Sequence, residues 1–379
     1  NVEAALKVFA VYPQDLLLSF LPLSHALERT VGYYICVMTG SCVAYARSVA
    51  QLGEDMAKVR PSVMVAVPRV FERVYGRIAD QMDKKGGMAK RLFDLTVKIG
   101  WRRFLHQQGR GGWSMGFLLW PMLDRLVASK VRDKMGGNLR AAISGGAALN
   151  EKIARVFIGL GVPLVQGYGL TETSPVVSAN PLEDNIPSSV GVPIRNTQVR
   201  IGDHDELLVK GPGVMLGYWN NPEATGQCID ADAWFHTGDC ARIEDEHLFI
   251  TGRIKEQFKS AKGKYVSPVP IEGKLAGNPL IEQVCVMGAG LRAPVAVVVP
   301  SAAASENARE HIDASLESTL RDVNDMLESH ERLSTIFVVD EPWTIENGLL
   351  TPTMKIKRDK LEARYDDLIR QYGDTIVWC

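Results

Sequence analysis

The chain has 379 residues, 43 Lys+Arg against 44 Asp+Glu, 46% hydrophobic and 23% charged residues. That balance excludes disordered, collagen-like and low-complexity classes. Apolar runs such as Phe117–Trp120 are too short for a transmembrane helix. The six cysteines are scattered with no CxxC pair, so reduced thiols and a cytoplasmic setting are expected. Charge is uneven: Lys58 to Arg140 holds 18 Lys+Arg and 6 Asp+Glu. Such a block suits phosphates, an anionic membrane face or a set of solvated helix faces. No aromatic-interleaved motif accompanies it, so no nucleic-acid partner is expected.

Asn1 falls inside a helix-like stretch, and the sequence is expected to be part of a longer polypeptide. Leu16–Leu23, Ser41–Ala46 and Ser62–Val67 read as strands. Arg69–Lys84 and Lys90–Leu105 have helical spacing, the first through Val70, Val74, Ile78 and Met82. Arg140–Ser144 reads as a strand ending in Gly145-Gly146. Asn150 caps a helix through Leu160, and Pro163–Gly167 is the next strand. Strands alternating with helices predict an α/β layer with a largely parallel sheet. From Val190 to Thr251, short strands and Gly/Pro turns predict a β subdomain, with Glu206–Val209 as one strand. Beyond Arg253, strands at Ile281–Met287, Val295–Val299 and Thr335–Val339 alternate with helices at Ser305–His330 and Arg358–Tyr372. The expected fold class is α/β: a large N-terminal domain, 1–254, then a small mobile α+β domain, 255–379.

Some patterns lead nowhere. Gly288–Ala293 matches GxGxxA, but Pro294 and a valine run follow where a dinucleotide site needs a helix. There is no GxSxG, HExxH or GxxxxGK[ST] motif, so hydrolase triads and zinc hydrolysis have no support.

Four segments carry chemistry. Gln166–Thr173 (QGYGLTET) closes a predicted strand: two glycines allow close backbone approach, Tyr168 can stack on a base, and Thr171 and Glu172 suit phosphate and Mg²⁺. Alone, it could also be a tight structural turn. Trp234–Asp239 (WFHTGD) ends in a carboxylate suited to a ribose diol, or to capping a β-turn. Gly252–Lys264 is dense in cations at the domain boundary. Leu350–Arg358 is a lysine-rich loop opening the last helix.

In this order and spacing, the four resemble the AMP-forming acyl-CoA synthetases of the adenylate-forming superfamily. Leu21–His25 with Glu28-Arg29, Ser144–Ala147, Val209–Gly213, Gly217–Trp219 and Asn221–Thr225 agree. The His25-x-x-Glu28-Arg29 segment and the lysine-rich loop are most similar to the long-chain fatty acid branch. The resemblance implies two steps: ATP and a fatty acid give acyl-AMP and pyrophosphate, and coenzyme A then displaces AMP. It implies that Tyr168 stacks on adenine, Thr171 contacts the α-phosphate and Glu172 binds Mg²⁺. Gly145, Gly146, Ala147 and Gly169 would line the nucleotide and acyl pocket, and Asp239 and Arg253 would hold the ribose. Lys355 matches the adenylation lysine, Lys255 the hinge, and Gly263 the approach of the pantetheine arm.

The family's Ser/Thr/Gly-rich phosphate loop, expected before Asn1, is not in this sequence. Two further readings therefore stand beside the ligase: a fatty acyl-AMP ligase serving a carrier protein, and a non-catalytic nucleotide- or acyl-binding remnant. The basic segment at Trp101–Arg103, with Trp113 and Phe117–Trp120, is expected to rest on the inner face of an anionic membrane or to be a basic surface helix.

Overall fold

The computed structural model describes residues 1–379 except 262, 303, 305–307, 352–354 and 371–374, and the side chains of 80 and 83–85. The chain forms two compact units: Asn1–Thr237 with Ala241–Ile250, and Gly238–Cys240 with Thr251–Cys379. The smaller unit thus takes three residues from the middle of a strand as well as the C-terminal stretch.

In the larger unit, β1 (Leu16–Ser19), β2 (Cys42–Tyr45), β3 (Val63–Ala66), β4 (Ala141–Ser144), β5 (Leu164–Gly169), β6 (Val176–Ala179) and β7 (Val192–Pro193) form one sheet, in the order β2-β1-β3-β4-β5-β6-β7. The first five are parallel. β6 and β7 pair antiparallel at one edge. Side chains alternate between two buried faces. Leu18, Met64, Ala66, Ala142 and Leu164 pack with Phe71, Ile153 and Phe157. Leu17, Val63, Val65 and Ala141 pack with Val31 and Ile35. Such two-sided burial is why β3 is a continuous apolar run rather than an alternating one. At the amino-terminal edge, Asp15 ties three strand starts together. Its Oδ1 accepts from Ser62 Oγ at 2.7 Å and Arg140 Nε at 2.8 Å.

The helices Pro68–Lys85, Gly87–Gln107 and Glu151–Gly159 lie where the apolar spacing predicts them. Asn150 caps the last, accepting from the Lys152 and Ile153 N–H groups. The expected strand Leu16–Leu23 is half as long. It stops at Ser19, and the chain turns at Pro22, whose carbonyl accepts the His25 N–H at 2.8 Å. Proline has no N–H for the ladder.

Next come β8 (Gln198–Ile201), β9 (Glu206–Lys210), β10 (Phe235–Glu244) and β11 (His247–Arg253), a four-stranded sheet in the order β11-β10-β9-β8. The smaller unit opens with the hairpin β12 (Phe258–Lys259) and β13 (Tyr265–Val266). Its main sheet is β14 (Ile281–Met287), β15 (Val295–Pro300), β16 (Thr335–Val338) and β17 (Ile376–Trp378), in that order. The Pro268–Leu275 and Arg309–Asp325 helices cover one face, and the Arg358–Ile369 helix the other. The GxGxxA segment is the turn between β14 and β15, with the Leu291 N–H bonded to the Gly288 carbonyl at 2.9 Å. The helix expected over Ser305–His330 runs Arg309–Asp325, and residues 305–307 lie outside the described residues. Tyr372, the expected end of the last helix, does too.

Candidate functional site

In an open sheet of parallel strands, ligands bind beyond the carboxyl ends. β4 and β5 run side by side, with Ser144 opposite Gln166. Beyond this pair Gly145–Ala147 leave the sheet, while Gly167–Gly169 carry β5 on into its antiparallel pairing with β6 at the same end. Gly145 is buried, and Gly146 and Ala147 are exposed. A side chain at Gly145 would touch Leu27 Cδ2 at 3.3 Å.

Tyr168 is half-buried, with its ring against the Val177, Leu207 and Val209 cluster. A Cβ at Gly169 would overlap the Pro175 carbonyl, so only glycine fits there. The chain then makes a short 3₁₀ turn, Thr171–Thr173, fastened by the Thr173 hydroxyl to the Leu170 and Pro175 carbonyls. Thr171 is exposed and Glu172 half-buried. Tyr218 Oη donates to Glu172 Oε1 at 3.0 Å. Burial first, and then Glu172, push the Tyr218 phenol up to about 12. Sequence reading assigned no role to Tyr218, although Gly217–Trp219 stood among the family segments.

Among the described residues, no group of three or more His, Cys, Asp or Glu gathers as a metal cage. Mg²⁺ held mainly by water and substrate phosphates needs only one or two protein carboxylates. Glu172, placed on an exposed turn with one oxygen already oriented by Tyr218, fits that requirement.

Within the smaller unit, Asp239 and Arg253 face each other across the β10–β11 hairpin, with Arg253 Nε 2.6 Å from Asp239 Oδ1. Asp239 is buried, and half of the Arg253 side chain is in solvent. Lys355 lies in the same unit and within electrostatic reach of both. Its side chain reaches solvent, yet surrounding protein desolvates it. That desolvation, and then the like charge of Arg253, lower its pKa; Asp239 and Glu256 oppose the shift. Lys255 is exposed in a single 3₁₀ turn, Ile254–Glu256. Gly263 sits in the β12–β13 turn with φ +72°. Residue 262 of that loop lies outside the described residues.

One residue of the His25–Arg29 segment is buried without a sequence signal for that burial. Glu28 is 1% exposed, and among the described residues its Oε2 has no hydrogen-bond partner. Burial raises its carboxyl to about 7, with Ser19 pulling the other way. A π-helical turn, Arg29–Tyr34, follows it.

A parallel α/β sheet with glycine-lined carboxyl ends, and a separate small α+β unit carrying a lysine loop, define an adenylate-forming architecture. The chain belongs to the AMP-binding enzymes: that family matches residues 1–219, and the AMP-binding enzyme C-terminal domain matches residues 255–375. A long-chain-fatty-acid–CoA ligase of Mycobacterium bovis is 34% identical over 372 residues, covering 92% of this chain and 60% of that protein. A chloroplastic long-chain-fatty-acid–acyl-carrier-protein ligase of Arabidopsis thaliana is 31% identical over 409 residues, covering 94% of this chain and 56% of that protein. Among solved structures, the adenylation domain of a carboxylic acid reductase from Segniliparus rugosus, in complex with AMP and a co-purified carboxylic acid, has a TM-score of 0.70. It is 25% identical and covers 94% of this chain and 54% of that chain. The chain therefore spans less than two thirds of the length of the relatives it matches.

Proposed function

We propose that this protein activates long-chain fatty acids with ATP and passes the acyl group to coenzyme A, releasing AMP and diphosphate. The likeness to long-chain-fatty-acid–CoA ligases supports the substrate class. The observation that carries the chemistry is the grouping of Asp239, Arg253 and Lys355 within one unit.

Attack of a carboxylate on the α-phosphate brings two anions together, so positive charge must meet the charge that develops. A partly desolvated ammonium at Lys355 acts more strongly there than one in water. The nucleophile is already ionised, so no general base is needed. No covalent enzyme intermediate is needed either. Thr171 donates its hydroxyl to the α-phosphate, Tyr168 stacks on adenine, and Asp239 accepts from the ribose hydroxyls while Arg253 holds its carboxylate. Gly145, Gly146, Ala147 and Gly169 leave room for nucleotide and acyl group. Glu172 would hold Mg²⁺, whose charge offsets that of the phosphates. For the second half-reaction, Lys255 is the hinge and Gly263 gives the pantetheine arm access to the backbone.

The Arabidopsis relative named for acyl carrier protein favours a second acceptor. The test is AMP release from ATP and palmitate by the 379-residue chain, with coenzyme A, with acyl carrier protein, or with neither. Release that depends on coenzyme A supports the ligase. Release that depends on the carrier protein moves the assignment to the second acceptor. No release with either acceptor removes the ligase reading for this chain. In an active chain, Lys355→Ala should slow acyl-AMP formation by about 10²–10³ and largely spare thioester formation from supplied acyl-AMP.

A further inference from the structure

The loop that carries Lys355 is fastened at its base by a buried ion pair. Arg358, the first residue of the Arg358–Ile369 helix, reaches both oxygens of Glu272 through Nη2, at 2.7 and 3.0 Å. Its Nη1 donates to the Val286 carbonyl at 2.7 Å. Glu272, on the Pro268–Leu275 helix, accepts the Val286 N–H at 2.7 Å. The two side chains are 14% and 13% exposed. Two helices and strand β14 thus meet at one point, three residues from Lys355.

The intervening backbone is closed on itself. Thr351 N–H donates to the Lys355 carbonyl at 2.8 Å, and Lys355 N–H donates to Thr351 Oγ1 at 3.0 Å. Leu350 and Ile356 form a β-bridge, and Lys357 N–H bonds the Leu349 carbonyl at 3.0 Å. The Lys355 backbone therefore has little freedom relative to Arg358, and Arg358 has little relative to Glu272.

The electrostatics agree. Burial raises the Glu272 carboxyl, against the pull of Arg358 and the Val286 N–H. Burial also opposes the Arg358 charge, but Glu272 and Cys285 outweigh it and hold the guanidinium above its usual range. An arginine stays charged in a protein, and a buried one needs its counter-ion, so the pair is ionised. Glu256 also acts on Arg358, Glu272 and Lys355, and Glu362 faces Arg358 from the last helix.

We propose that Glu272 and Arg358 are positioning residues for Lys355: the pair fixes the base of the loop and so keeps the ammonium among Arg253, Asp239 and Glu256. The catalytic consequence rests on the reading of Lys355 as the adenylation lysine; the positioning itself does not.

The test labels the amines of the full chain with acetic anhydride from neutral to strongly alkaline pH, read lysine by lysine by mass spectrometry. Lys355 should titrate below the ordinary lysine range. In Arg358→Met and in Glu272→Gln, the Lys355 midpoint should rise toward that range, with its neutral-pH labelling falling about threefold or more. Arg358→Lys should recover part of the difference. A Lys355 midpoint that does not move overturns the proposal, and so does a change in labelling that the exposed Lys58 and Lys130 share. The half-reactions separate the two readings. Slower acyl-AMP formation with parental thioester formation supports both. A shifted Lys355 with both half-reactions parental supports the positioning and removes the role given to Lys355.

Discussion

Glu28 folds its carboxyl into the space that Gly32 leaves free one turn later: a Cβ at Gly32 would overlap Glu28 Oε1. The acid is thereby packed into the core beside Val31, Ile35 and Cys36 with one oxygen unpartnered among the described residues. Gly32→Ala should cost about 1–3 kcal/mol of stability through overpacking. Glu28→Ala should relieve most of that penalty in the double variant, read from a denaturation cycle.

The same residue makes a pH prediction. Its folded carboxyl sits at about 7, against an ordinary 4.5. A raised acid holds its proton longer in the folded state than in the unfolded one. Its stabilising contribution is full below pH 4.5 and is lost as pH rises toward 7. The loss is about 3 kcal/mol. Glu28→Gln should remove this slope, so the variant gains on the parent between these pH values. Parallel stability curves for the two proteins would sink the assignment.

Tyr218 and Glu172 form a hydrogen bond to a charged acceptor, a class worth about 1.5–3 kcal/mol. Tyr218→Phe should weaken binding of Mg²⁺-ATP by about tenfold or more, measured by calorimetry, and lower the thermal midpoint by a few degrees at about 2–4 °C per kcal/mol. Unaltered nucleotide affinity would separate Tyr218 from the site.

Lys255 stands in one 3₁₀ turn between β11 and β12. Proline there restricts φ and the conformation of the residue before it. Lys255→Pro should spare acyl-AMP formation and slow thioester formation, followed by separate half-reaction assays. Equal loss of both would count against the hinge.

Trp113, Met115 and Leu118 are 61%, 75% and 71% exposed, and Arg102 and Arg125 are exposed nearby in sequence. If this apolar and basic segment meets an anionic bilayer, the chain should co-sediment with phosphatidylserine vesicles. Added salt and Trp113→Ala with Leu118→Ala should each reduce that binding several-fold. Binding indifferent to lipid charge and salt removes the membrane contact.

Much of the larger unit was legible because its signals are local. β3 is a short apolar run, Asn150 is a helix cap, and Gln166–Thr173 announces its turn by its glycines. The expected Leu16–Leu23 strand ran too far, because a run of leucines does not show that Pro22 will turn the chain. What the sequence could not show is pairing at a distance. Asp239 and Arg253 are 14 positions apart and meet only because the β10–β11 hairpin folds back. Glu272 and Arg358 are 86 apart and meet only after two helices pack on β14. Glu28 was read as part of a motif, but its burial depends on a glycine four residues later.

The three residues Gly238–Cys240 belong to the smaller unit although they lie in the middle of β10. The coding order therefore does not match the division of charge. A polypeptide started at Thr251 would still encode Arg253 and Lys355, but would leave out Asp239. Two cations would then share a desolvated site without that carboxylate, leaving Glu256 as the remaining acid acting on Lys355. Any recombination of this smaller unit with the larger unit of another AMP-binding enzyme inherits the constraint: the donor of the β10 strand must also bring the counter-ion.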